Sequence, residues 1–251
     1  MSMYQNIKVI IPARFNSSRL QGKPLLLINN FPIFWHVFQR CLEAGFSSKN
    51  ILLATDHKKI FELAEELNIP VVMTSDKHES GTDRINEVVT NLDLDNDSLV
   101  INVQGDEPLI PPQLIKQLAL FALENKQFAL TTAVTPICEY KDFINPNIVK
   151  AILGEGGRAI YFTRSPSPLN RDNSNSLELA YRHIGIYTYR VSDLKVFCSY
   201  SESSLEQYEK LEQLRALSNG MPIGACIYND ELPHGIDTQE DYDAVKLLME
   251  V

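Results

Sequence analysis

Three cations fall close together near the start of the chain: Arg14, Arg19 and Lys23, interleaved with Ser17, Ser18 and Gly22. Arginine forks onto phosphate oxygens and lysine adds a point charge, so this loop suits a polyanion such as a triphosphate. The bland reading is a solvated connection that happens to be basic. A second stretch, Val103-Gln104-Gly105-Asp106-Glu107-Pro108, offers a hard carboxylate at the end of an apolar run. Magnesium takes one or two carboxylates together with phosphates and water, which makes Asp106 a candidate metal ligand. Gln104 carries both a donor and an acceptor and can read the edge of a base. Neither G-x-G-x-x-G nor G-x-x-x-x-G-K-[ST] occurs, so side chains rather than a glycine cradle would hold the phosphates.

Such residues need a frame. Lys8 to Ile11 reads as a buried strand that Pro12 stops, and the cationic loop then leaves the carboxyl end of that strand, where open α/β sheets bind ligands. Further strand-like runs at 51–54, 71–73 and 99–103 alternate with helical patterns at 33–44, 58–67, 82–92 and 112–124. That alternation predicts an α/β fold with a mostly parallel sheet and helices on both faces. After Thr135 the pattern loosens, although 159–163 and 183–190 read as strands, and an inserted lobe is expected at roughly 136–222 within one domain spanning 1–251.

Caps and stripes can also be read. Ser204 to Leu217 reads as one helix whose stripe of Leu205, Tyr208, Leu211 and Leu214 faces the core or another subunit. Asp56 and Thr238 read as helix N-caps, the latter with Asp241 three residues on, and Ser80 or Thr82 as the cap of the third helix. His57 and His78 read as plain loop residues.

Pro12-Ala13-Arg14, Ser18-Arg19-Leu20 and Gly22-Lys23-Pro24 together resemble the signature loop of the sugar nucleotidyltransferases that activate acidic sugars with CTP. The likeness is to the 3-deoxy-manno-octulosonate (Kdo) cytidylyltransferases in particular, and it extends over nearly the whole chain. It implies a Rossmann-like nucleotidyltransferase sheet with an inserted sugar-binding and dimerisation lobe. It further implies Mg²⁺ as cofactor, CTP and an acidic keto sugar as substrates, and a homodimer. Residue by residue, it assigns Arg14, Ser18, Arg19 and Lys23 to the triphosphate, and Ser80, Gly81, Thr82, Arg84 and Gln104 to the nucleoside side. Asp106 and Asp237 become the metal carboxylates and, with Arg14 and Lys23, the catalytic set. Arg164, facing a carboxylate, joins His183, Tyr187, Glu212 and Gln213 around the sugar.

Two departures stand out. Gln239 replaces a proline in the first turn of the last helix, where proline helps without being required. Ser165 to Leu169 lacks the usual isoleucine and aromatic residue and gains Pro166, which bears on the sugar accepted. Kdo is the expected sugar, with 8-amino-Kdo or a nonulosonate such as a sialic acid as the close alternative. A nucleotide-binding regulatory module is the non-enzyme alternative, and a Rossmann oxidoreductase is disfavoured by the missing glycine fingerprint.

The totals agree with this. A net charge of −9 over 251 residues argues against a general nucleic-acid binder. Cys41, Cys138, Cys198 and Cys226 are scattered, without zinc or disulfide spacing. No apolar run approaches the ~20 residues that span a bilayer, and no signal-peptide core is evident, so a cytoplasmic protein without membrane insertion is expected.

Overall fold

The computed structural model describes residues 4, 6–16, 20–78, 80–233 and 235–250. Its chain forms two compact units, Met1–Lys116 with Glu231–Val251, and Gln117–Asp230. The second unit thus begins upstream of the lobe expected from about residue 136.

In the first unit, β1 (Ile7–Ala13) pairs in parallel with β4 (Ile51–Thr55) on one side and β6 (Leu99–Asn102) on the other, and β5 (Val71–Met73) extends the sheet beyond β4. The two-residue strands β2 (Leu27–Ile28) and β3 (Phe31–Pro32) make a hairpin whose turn residues Asn29 and Asn30 both have positive φ. Asparagine tolerates that conformation, and it gives the turn the twist a hairpin needs. Helices α1 (Ile33–Glu43), α2 (Lys58–Glu66) and α3 (Gly81–Asn91) connect the strands. Val9, Ile11, Leu53, Val100 and Ile101 are fully buried, as strands covered on both faces require.

Pro12 does not stop β1, which runs on to Ala13. The Ile10 carbonyl accepts from Val103 N, so residues 10 and 12 turn their polar groups toward β6. Pairing with β6 has already ended at Ile10, and the amide hydrogen that Pro12 lacks is therefore not needed. On the other side Pro12 stays aligned with Ala54.

Helix α4 (Pro112–Glu124) leads into the second unit, where β7 (Leu130–Pro136) pairs in parallel with β11 (Ile223–Ile227) and antiparallel with β10 (Tyr181–Arg190). Strand β8 (Lys150–Leu153) pairs antiparallel with β10 and with β9 (Ala159–Thr163), and α5 (Tyr140–Ile144), α6 (Val191–Ser199), α7 (Ser204–Glu209) and α8 (Gln213–Ser218) complete the unit. The single helix expected at 204–217 is two, broken at Lys210, whose φ of 55° and ψ of 49° are left-handed. The break divides the apolar stripe: Leu211 and Leu214 are buried, whereas Leu205 and Tyr208 are exposed.

The chain ends back in the first unit with α9 (Gln239–Met249). Thr238 caps it in a reciprocal box with Asp241, as the spacing predicts.

Gly105 fixes how closely the loop after β6 approaches β1, because a Cβ there would lie 2.6 Å from the Pro12 carbonyl oxygen. Backbone must shift to admit it, so Gly105→Ala should cost about 1–3 kcal/mol in thermal unfolding. A melting curve identical to wild type would mean that the end of β1 yields freely.

Candidate active site

Beyond the carboxyl ends of β1 and β6 lies a cavity of about 360 Å³. Pro12, Ala13, Arg14, Asn16, Lys23, Pro24, Gly81, Gln104, Gly105, Asp106 and Asp237 line it. Six of the residues singled out from the sequence, Arg14, Lys23, Gly81, Gln104, Asp106 and Asp237, are therefore brought together. Asn16 was missed, since a polar loop residue without charge carries little signal.

Lys23 is the centre. It is 6 % exposed, and its Nζ donates to Asp106 Oδ2 at 2.6 Å, to the Ile236 carbonyl at 2.6 Å and to Asp237 Oδ1 at 3.5 Å. A buried ammonium must be paired and hydrogen-bonded. Here the pairing draws together a turn after β1, the end of β6 and the approach to α9. Ile236 N also donates to the Asp106 carbonyl at 3.0 Å, and Asp237 N to Asp241 Oδ2 at 3.0 Å. Two carboxylates thus converge on one point, a donor set that suits a hard cation sharing phosphate and water ligands. Among the described residues no group of three or more histidine, cysteine or acidic side chains could hold a metal by itself.

The nucleoside-side assignments divide. Gly81 and Gln104 face the cavity, and a Cβ on Gly81 would meet the Pro12 ring at 3.3 Å. Ser80, not Thr82, caps α3, accepting from Asp83 N, while Thr82 is buried at 2 % exposure. Arg84 is fully buried: it donates to Asp56 Oδ2 at 2.6 Å, to Thr74 Oγ1 and to the Ser75 carbonyl. Its guanidinium is thus held by the protein itself.

Asp56 differs from its expected capping role as well. Its other oxygen accepts from Phe15 N at 3.2 Å, so the Asp56–Arg84 pair anchors the start of the cationic loop. His57 is the actual cap of α2, and its ring stacks on Phe15 with centroids 3.8 Å apart. Phe15 in turn accepts through its carbonyl from Gly22 N, closing the base of the loop. His78 pairs with Glu87. Ser18 and Arg19, both assigned to the triphosphate, lie outside the described residues.

In the second unit, β10 carries His183 and Tyr187, with ring centroids 5.4 Å apart, on either side of a bulge at Gly185 and Ile186. Thr132 on β7 faces that bulge, its Oγ1 lying 2.7 Å from the Ile186 carbonyl and 3.0 Å from His183 Nε2. The hydroxyl donates to the carbonyl and can accept from His183 with its proton on Nε2. Burial lowers His183 to about 3. Burial first, then Tyr189 and Glu212, raise the Tyr187 phenol well above its usual value, so Glu212 belongs to this cluster. Gln213 is 5 % exposed, and its Nε2 has no partner among the described residues. Arg164 instead donates to carbonyls: Nε to Glu209 at 2.7 Å and Nη1 to Pro146 at 2.9 Å. The expectation that it faces a carboxylate meets a side chain already engaged by backbone, while Glu209, which sequence reading passed over, holds its amide.

A family model for cytidylyltransferases matches residues 8–223. The 3-deoxy-manno-octulosonate cytidylyltransferase of Cellvibrio japonicus is 43 % identical over 259 residues, covering 100 % of this chain and 99 % of the relative. The 3-deoxy-manno-octulosonate cytidylyltransferase of Alteromonas mediterranea is 45 % identical over 241 residues, covering 94 % and 96 %. Among solved structures, that of CMP:2-keto-3-deoxy-manno-octonic acid synthetase complexed with CTP matches with a TM-score of 0.89 at 34 % identity, covering 97 % of this chain and 98 % of that one.

The depressed His183 has a consequence for acid stability. Its folded value of about 3 lies below the ordinary 6.5, so between them the unfolded chain binds the extra proton. The stabilisation is complete above pH 6.5 and is lost as pH falls toward 3. His183→Gln, which keeps a donor for Thr132, should flatten urea-unfolding stability across that window. Superimposable pH slopes for the two proteins would remove the imidazole from this role.

Proposed function

The chain belongs to the cytidylyltransferase family, and from that premise we infer that it transfers CMP from CTP to the anomeric hydroxyl of Kdo, releasing pyrophosphate and giving CMP-Kdo. The observation that carries this reading is the buried Lys23 ammonium bound to Asp106 and Asp237 on the wall of a cavity shared with Arg14 and Gln104.

The chemistry follows from charge and position. The sugar hydroxyl attacks the α-phosphorus of CTP, the bond to the bridging oxygen breaks, and negative charge grows on phosphate oxygens. Groups fixed in advance where charge develops lower the barrier without reorganising. Lys23, held by the Ile236 carbonyl, and Arg14, exposed at the loop, supply positive charge to the triphosphate. Ser18 and Arg19 carry the same role by resemblance. Gln104, beside Gly81, offers its amide to the cytosine edge. Asp106 and Asp237 would hold Mg²⁺, which when bound neutralises phosphate charge. In the second unit His183, Tyr187, Glu212 and Gln213 provide hydrogen-bonding groups for the sugar. The Gln213 donor, left without a partner among the described residues, is the kind of group that a ligand's oxygen satisfies.

Further elements of the reading rest on the resemblance: a homodimer, a cytoplasmic location, and use of the product in lipopolysaccharide biosynthesis. No helix among the described residues is long and apolar enough to cross a membrane.

The direct test is pyrophosphate release from CTP with Mg²⁺ and Kdo, beside matched reactions with 8-amino-Kdo and a sialic acid. Kdo should be the preferred acceptor, and release with another sugar alone would give the altered Ser165 to Leu169 segment a role in selection. Silence with all three would favour a non-catalytic module. Asp106→Asn should lower kcat by about 100-fold or more, with cooperative unfolding retained. Turnover at the wild-type rate would remove the carboxylate from the reaction.

A further inference from the structure

The break between α7 and α8 is where the sequence promises a continuous helix. In such a helix the carbonyls of Glu209 and Lys210 would accept from the amides of residues 213 and 214. Here Leu214 N donates to the Leu211 carbonyl and Arg215 N to that of Glu212. The two released carbonyls are taken by one side chain: Arg164 Nε donates to Glu209 O at 2.7 Å and Nη2 to Lys210 O at 3.5 Å. The hold is returned, because the Glu209 carboxylate accepts from Arg164 N at 2.9 Å and from Thr163 Oγ1 at 2.7 Å.

The end of β9 and the end of α7 therefore grip each other through both backbone and side chain, and left-handed Lys210 turns the chain between them. A second tie fixes the other side of the break. Arg215 on α8 forks onto Glu206 on α7, with Nη2 to Oε1 at 2.6 Å and Nε to Oε2 at 3.0 Å, both residues being buried. Between the two ties sit Glu212, whose charge acts on Tyr187, and Gln213, whose donor has no partner among the described residues.

We propose that Arg164 and Glu209 form a reciprocal clamp that breaks the helix and thereby sets Glu212 and Gln213 for the sugar. Both are positioning residues, acting through the α7–α8 turn. The proposal rests on the sugar role given to Glu212 and Gln213 above.

Steady-state kinetics of the full chain test it by separating the two substrates. Glu209→Ala should raise KM for Kdo about tenfold or more, leaving KM for CTP within about twofold of wild type. Glu209→Gln, which keeps one acceptor, should recover part of the loss. An unchanged KM for Kdo, or equal rises for both substrates, would overturn the clamp. Should Glu209→Ala fail to fold, Thr163→Val removes a single hydroxyl donor and should raise KM for Kdo about threefold; no rise would again overturn it. Hydrogen exchange separates this idea from the assigned reaction. Faster exchange over 211–216 in Glu209→Ala supports the clamp even in a protein inactive with Kdo, and unchanged exchange refutes it whatever the activity.

Discussion

A lysine ammonium out of water is the constraint on which the first unit depends. Lys23 is 6 % exposed, and burying a charge is costly unless paired and hydrogen-bonded. Its partners come from far along the chain: Asp106 is 83 residues away and the Ile236 carbonyl 213. Satisfying one ammonium thus closes the first unit. The return of the C-terminal segment is reinforced by Ile236 and Val245 packing on Ile28 and Ile33, and by Tyr242 Oη donating to the Leu27 carbonyl at 2.6 Å. In the proposed reaction the same contact would hold charge rigidly before substrate arrives, so that none need reorganise afterwards.

Around that point the cations have unlike fates. Arg14 is exposed beside the cavity, Lys23 forms its wall, and Arg84 lies fully buried against Asp56. Breaking a buried pair leaves an uncompensated charge, so Asp56 and Arg84 are bound to each other structurally. The consequence reaches the site because Asp56 also accepts from Phe15 N, and the His57 ring stacks on Phe15. The loop that carries exposed Arg14 is thereby anchored at its base, with a closing bond from Gly22 N to the Phe15 carbonyl. A positive residue in a binding motif can thus serve the ligand directly or serve the scaffold that presents the others.

The second unit solves a related problem with neutral groups. Thr132 meets the bulge in β10, so the Ile186 carbonyl finds a hydroxyl where the ladder slips its register. That bulge spaces His183 and Tyr187. Likewise the α7–α8 break strands two carbonyls, and Arg164 takes both. In each case an irregularity in a regular element is stabilised by one polar side chain, and residues assigned to the sugar sit beside it.

What the sequence determined by itself is what local pattern encodes. Apolar runs gave β1, β4, β5 and β6, periodicity gave the helices between them, and Thr238 with Asp241 announced the last cap, because each depends on residues a few positions apart. The cationic loop and the Gln104-Gly105-Asp106 turn were legible for the same reason, as charges placed at strand ends. The tertiary structure alone decided which polar groups meet. That Pro12 could remain in β1 depended on where β6 stops pairing. That Arg84 pairs with Asp56, leaving capping to His57, required two segments 28 residues apart to be brought together. That residues 204–217 form two helices depended on Arg164 capturing carbonyls some 45 residues away, which no helical periodicity records. Hydrogen bonds and ion pairs reach only a few ångströms, so they report on proximity in space, and proximity between distant segments exists only once the chain has folded.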